Sequence, residues 1–100
     1  MRVRFTPEAR LAVREMRVWW EQNREKAPGL FVEELAAIVA ALRQGADHGR
    51  QRYAARGGRI IWRLLMPKTR NHVYYRRDEA AREVEILLLW SAVAATGPDV

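Results

Sequence analysis

Residues 59–90 run RIIWRLLMPKTRNHVYYRRDEAAREVEILLLW. Three segments within this stretch, residues 59–66, 71–77 and 83–90, are dense in Ile, Val, Leu, Tyr and Trp, side chains that fit a pleated, half-buried surface. Residues 67–70 separate the first two runs and residues 78–82 the last two. Connections this short join neighbouring antiparallel strands, so the stretch reads as a three-stranded meander. Side chains alternate faces along a strand, which lets the register be derived. With Trp62 opposite Tyr75, Leu64 opposite Val73, Tyr75 opposite Ile86 and Val73 opposite Leu88, all of these share one face, the expected core. The other face then carries three cross-strand rows: Ile61, Arg76, Glu85; Arg63, Tyr74, Leu87; and Leu65, His72, Leu89.

Upstream, Val3 and Phe5 alternate with Arg2 and Arg4, the pattern of a short first strand. Thr6-Pro7-Glu8 then opens a helix, with Thr as N-cap, Pro at the first helical position and Glu at the positive end of the dipole. Ala9, Ala12, Val13, Met16, Trp19, Trp20 and Asn23 recur every three or four residues and make its apolar stripe, which predicts both tryptophans in hairpin packing. Pro28-Gly29 sets a stop near Lys26. A second helix presents Phe31, Leu35, Ile38 and Leu42 and ends at Gly45. The link between the helices is short enough to predict an antiparallel hairpin packed on one face of the sheet. Residues 47–59, with Gly49, Gly57 and Gly58, read as a loop, and residues 96–100 as a loose tail. The expected architecture is α+β, in the order β-α-α-β-β-β, within a single domain spanning residues 1–100.

Composition narrows the function. The chain of 100 residues is long enough for one modest core. It has no cysteine, which rules out a disulfide scaffold or a thiolate metal site. Its opening residues lack the apolar run of a signal peptide and no segment approaches the roughly 18 apolar residues of a membrane span. The cytoplasm is the expected compartment. Basic residues number 18 against 12 acidic, a net charge of +6, and only Lys26 and Lys68 are lysine. Such an arginine-rich balance favours acidic partners, nucleic acid or an acidic protein segment. Asp47 and His48 are too few to make a metal site, and there is no phosphate-cradling glycine loop, so neither a metal nor an organic cofactor is expected.

The order of elements, together with particular residues, resembles the RelE/ParE superfamily of type II toxin–antitoxin systems. Val3-Arg4-Phe5-Thr6-Pro7-Glu8-Ala9 looks like that family's first strand entering a helix with a Pro-x-Ala-like start. Residues 64–76, including Pro67, Thr69, Arg70, His72 and Tyr75, followed by residues 84–90 and ending in Trp90, resemble its strand block. The likeness covers nearly the whole chain in topology, with motif-grade similarity in the last third. It implies a toxin silenced by a cognate antitoxin whose acidic, amphipathic C-terminal segment wraps across it, in a hetero-oligomer that meets operator DNA through the antitoxin. Toxic members of the family cleave messenger RNA on the ribosome or poison DNA gyrase.

Cleaving RNA requires clustered cations plus an acid or base. Arg63, His72, Tyr74 and Arg76 are the candidates on the open face, with Arg50, Arg52, Arg56 and Arg70 as nucleic-acid contacts from the loops. Three features weigh against cleavage. Ser91-Ala92-Val93-Ala94-Ala95 carries no titrating side chain where the RNA-cleaving branch commonly has His or Tyr. Aliphatic residues occupy part of the face, and Glu85 opposite Arg76 repels phosphate. An antitoxin segment suits the same surface better, through Ile61, Arg63, Leu65, Tyr74, Arg76, Leu87 and Leu89. The ParE-like, non-catalytic branch is therefore the favoured reading. RNA cleavage stands as the alternative, and a non-toxic binding module in an operator-bound complex as a third.

Overall fold

The computed structural model describes residues 1–100. Its elements are β1 (Arg2–Phe5), α1 (Pro7–Asn23), α2 (Leu30–Arg43), β2 (Gln51–Arg56), β3 (Arg59–Met66), β4 (Asn71–Asp78) and β5 (Glu83–Ser91). The strands form one sheet in the order β1-β5-β4-β3-β2, antiparallel except where β1 runs parallel to β5. This is an α+β fold with both helices on one face: Ala9 of α1 and Phe31, Leu35 and Leu42 of α2 share a core with Leu64, Val73, Tyr75, Val84 and Ile86 of the sheet.

Local chemistry explains the helix ends. Thr6 Oγ1 accepts from the Ala9 amide at 3.1 Å and donates to the Leu87 carbonyl at 2.7 Å, so a single hydroxyl caps α1 and ties it to β5. At the other end α1 stops at Asn23, a turn before Lys26, with the Asn23 amide folded back onto the Trp19 carbonyl at 2.8 Å. Helix α2 runs out at Arg43, and Gly45 takes φ +70°, the left-handed position that glycine fills without a Cβ penalty. Glu34, buried in α2, accepts from the amides of Lys68 (2.7 Å) and Thr69 (2.9 Å) and from Thr69 Oγ1 (2.7 Å). One carboxylate thereby caps the β3–β4 turn and clasps it to the helix layer.

The segment read as a loop contains a strand. β2 pairs with β3 through a two-residue turn at Gly57 (φ +57°) and Gly58 (φ +77°), the double positive φ of a type I′ hairpin. Just before it, Asp47 is buried and accepts from Tyr75 OH (2.7 Å), Arg77 Nη1 (2.7 Å) and Arg50 Nη1 (3.2 Å), latching the helix-to-sheet connection to β4. That leaves Asp47 fully engaged and His48 exposed.

The β3–β4 register matches the derived one: Trp62 lies opposite Tyr75, Arg63 opposite Tyr74, and Leu64 opposite Val73. Between β4 and β5 it matches only as far as Tyr75–Ile86 and Arg76–Glu85. A bulge at Leu87 then shifts the pairing by one residue, so Val73 faces Leu89, Tyr74 faces Leu88, and His72 faces Trp90. A second bulge, at Tyr53, interrupts the β2–β3 ladder between Arg52 and Ala54. No helix is long and apolar enough to cross a membrane.

Candidate functional site

The sheet face away from the helices is built by alternation from Arg63 and Leu65 on β3, His72, Tyr74 and Arg76 on β4, and Glu85, Leu88 and Trp90 on β5. Arg63 and Tyr74 share it, with Arg63 Nη1 3.5 Å from the Tyr74 hydroxyl. Arg63 also donates through Nε to Gln51 Oε1 at 3.0 Å and lies 5.5 Å over the Tyr53 ring. The His72 ring sits edge-on to Tyr74, with centroids 6.0 Å apart. Burial, then the neighbouring Arg63 guanidinium, holds the His72 imidazole below its ordinary value, so the ring is neutral at pH 7. Arg76 is paired with Glu85, as the cross-strand row requires, and Glu85 is shared with Arg4 of β1, which also binds Glu83. Because β1 aligns beside β5, these charges form a compensated ionic row across three strands.

The face is only partly free. Neither helix lies on this side, yet Ile61 and Tyr74 are each 1% exposed. Tyr53 packs on Tyr74 from the same side, and the segment expected to be a loose tail folds back to meet Tyr53 and Trp90. Trp90 Nε1 donates to the Thr96 carbonyl at 2.8 Å, and Tyr53 OH donates to the Pro98 carbonyl at 2.6 Å. Pro98 is buried, and Arg56 Nη2 reaches Asp99 Oδ1 at 3.4 Å. Tyr53 itself packs edge-on against Tyr74 at 4.7 Å.

The expected binding residues therefore separate. Leu65, 49% exposed, and the half-buried His72 and Trp90 form the accessible corner. Arg63 and Arg76 are half-buried and already engaged. Leu87, the bulge residue, is half-buried and its carbonyl is taken by Thr6. Leu89 is not on this face at all: at 1% exposed it lies in the core beneath the helices, because the Leu87 bulge turned it over. Leu88 takes the place intended for Leu87, opposite Tyr74.

The four arginines proposed for nucleic acid do not converge. Arg50 stacks 4.1 Å over Trp62 beside Asp47, and Arg52 lies in strand β2, opposite Trp62. Arg56 closes the β2–β3 hairpin, while Arg70, at φ +58°, occupies the turn at the far end of β3. Trp19 is 46% exposed, edge-on to Trp20 at 5.7 Å and stacked by Arg24 at 5.0 Å, so only Trp20 joins the packed stripe.

Two concavities flank the face. One, of about 540 Å³, sits where Arg4, Arg59, Arg76 and Arg77 meet Asp78, Glu79, Glu83 and Glu85, so its charges largely cancel. The other, of about 340 Å³ and mostly apolar, runs between Leu11, Ala12 and Met16 of α1 and Leu88 and Leu89 of β5. Chemically, the outer face offers aromatic and aliphatic contact area, a neutral His72, a compensated Arg76–Glu85 pair and one guanidinium, Arg63, that has no acidic partner. That equipment suits holding a partner segment. The chain matches no family model, no curated protein and no solved structure.

Proposed function

We propose that the chain is the toxin of a type II toxin–antitoxin pair, of the ParE-like kind that inhibits DNA gyrase without catalysis, and that an acidic, amphipathic antitoxin segment silences it. One observation carries the choice of branch. Of the four candidates for RNA cleavage, Tyr74 is 1% exposed beneath Tyr53, and Arg76 is held by Glu85. A general acid or base must come within hydrogen-bond reach of the proton it moves, and a buried phenol cannot. The exposed Leu65 and the half-buried Trp90 offer apolar anchors to a partner, within a chain of net charge +6 that attracts an acidic one.

Purified chain titrated into a gyrase reaction abolishes supercoiling in a dose-dependent way and produces no ribosome-dependent cuts in messenger RNA. The converse result overturns the proposal. RNA cleavage is the second reading, favoured by the gathering of Arg63, His72 and Tyr74 on one face. Changing Arg63→Ala and Arg76→Ala together separates the two: cleavage requires those cations, whereas gyrase inhibition survives their loss.

A further inference from the structure

The crossing of the outer face by residues 96–99 is specific in a way that loose packing is not. Two aromatic side chains hold it from opposite ends: Trp90 through its indole N–H on the Thr96 carbonyl at 2.8 Å, and Tyr53 through its hydroxyl on the Pro98 carbonyl at 2.6 Å. Between them Gly97 packs against the hydroxyl end of the Tyr53 ring. A Cβ there would overlap the Tyr53 hydroxyl and stand 3.1 and 3.2 Å from two ring carbons, so any larger residue forces Tyr53 or the segment to move. Pro98 is buried, and Asp99 turns toward Arg56.

Both holding residues owe their placement to bulges. An unbroken β2–β3 ladder would set Tyr53 opposite Trp62, on the helix side, and an unbroken β4–β5 ladder would set Trp90 there as well, opposite Asn71. Each bulge re-aims one aromatic residue onto the outer face. The result is a pair of aromatic donors on the outer face that grips a Pro-containing backbone by its carbonyls, the way proline-containing segments are read.

We propose that the surface between Trp90 and Tyr53 is a peptide-binding site for a Gly-Pro-acidic segment, and that residues 96–99 are its ligand in the isolated chain. Any other segment of that chemistry enters by displacing them, and their release frees the Tyr53 hydroxyl and the Trp90 indole N–H while Tyr74 stays packed against the Tyr53 ring. This site does not depend on the chain being a toxin.

The test uses a chain ending at Ala95 and the synthetic peptide Ala-Thr-Gly-Pro-Asp-Val, which reproduces residues 95–100. The readout is the Trp90 indole N–H resonance, assigned with Trp90→Phe. The peptide binds the shortened chain saturably and returns that resonance to its full-length position. Replacing the peptide's glycine by alanine weakens binding about tenfold or more, the equivalent of one lost hydrogen bond. The intact chain ignores the peptide. Should the shortened chain fail to fold, full-length Gly97→Ala serves instead: it shifts the Trp90 resonance and accepts the unmodified peptide in trans. Absence of saturable binding by a folded acceptor overturns the proposal, as does equal binding of a peptide with alanine in place of proline.

Discussion

Replacing Asp47 by Asn removes the charge from the carboxylate that receives Tyr75 OH, Arg77 Nη1 and Arg50 Nη1. Burial alone would raise the Asp47 carboxyl, but the hydrogen bonds from Tyr75, Arg77 and Arg50 outweigh it and hold the group below the usual carboxylate range. The asparagine oxygen can still accept, yet its NH₂ then points at groups that only donate or prefer to. Arg50 is 35% exposed and recovers water, so its share is small. Arg77 keeps Glu79 at 2.9 Å, although that partner is mostly exposed. The main cost falls on Tyr75, which is 0% exposed and cannot turn to solvent. A buried donor left without its acceptor costs about 1–3 kcal/mol, and the charged bond from Arg77 adds a discounted part of about 1.5–3 kcal/mol. Because the two share one acceptor, the combined loss is about 2 kcal/mol rather than their sum. For a domain of this size that lowers Tm by roughly 8–16 °C.

The pH dependence makes this case discriminating. The Asp47 carboxyl is depressed in the fold, so its contribution is complete above the unfolded value of about 3.9 and disappears as pH falls through the lower folded value. Tyr75 is the opposite case: burial, and then its bond to Asp47, raise the phenol, so its contribution is complete below the unfolded value of about 10 and is lost above it. Urea denaturation of the wild type and Asp47→Asn should give a constant difference from pH 7 down to about 5, closing below about 4. A difference that persists unchanged at pH 3 refutes the latch. So does a Tyr75→Phe variant that still loses stability above pH 10 as steeply as the wild type.

Two further substitutions probe the same architecture. Glu34→Gln weakens the cap on the Lys68 and Thr69 amides and costs about 1–2 kcal/mol in urea unfolding at pH 7; an unchanged midpoint would mean that the helix layer and the β3–β4 turn are not clasped there. Leu89→Asp, with Leu65→Asp as the control, tests the bulge directly: the first puts a charge in the core and abolishes the native circular dichroism spectrum, while the second stays within about 0.5 kcal/mol of the wild type, and tolerance of both would restore the unbulged register, in which Leu89 shares the outer face with Leu65.

The parts of the fold that follow from local rules were legible in the residues. Thr6-Pro7 announces a helix start because a hydroxyl and a fixed φ do the same work there in any context. Tyr75 and Leu64 were placed in the core by alternation alone, and the Arg76–Glu85 pair followed from the same count. β2 was hidden because Gln51–Arg56 carries two alanines and no β-branched residue, so what makes it a strand is the edge of β3, a non-local partner. Trp19 satisfied a helical period, but the stripe it extends is wider than the surface α2 and the sheet can cover. The course of residues 96–99 rests on three contacts with side chains between 6 and 45 positions away, which no local pattern encodes.

The candidate site was misread at the same places where it was built. Period-two counting assumes one residue per position on every strand, and each bulge breaks that assumption once. At Leu87 the extra residue sends Leu89 into the core and brings Trp90 outward; at Tyr53 it sends the phenol outward over Tyr74. Both irregularities sit beside a feature that stabilises them. Thr6 Oγ1 takes up the Leu87 carbonyl in the same act that caps α1, and the Tyr53 hydroxyl finds the Pro98 carbonyl. A regular sheet with this sequence would have Tyr53 and Trp90 on its helix side and would keep only Arg56 to meet residues 96–99. The residues that make the outer face selective are therefore those that the ideal register assigns to the opposite side, and any reading of that face has to begin from the bulges rather than from the alternation they interrupt.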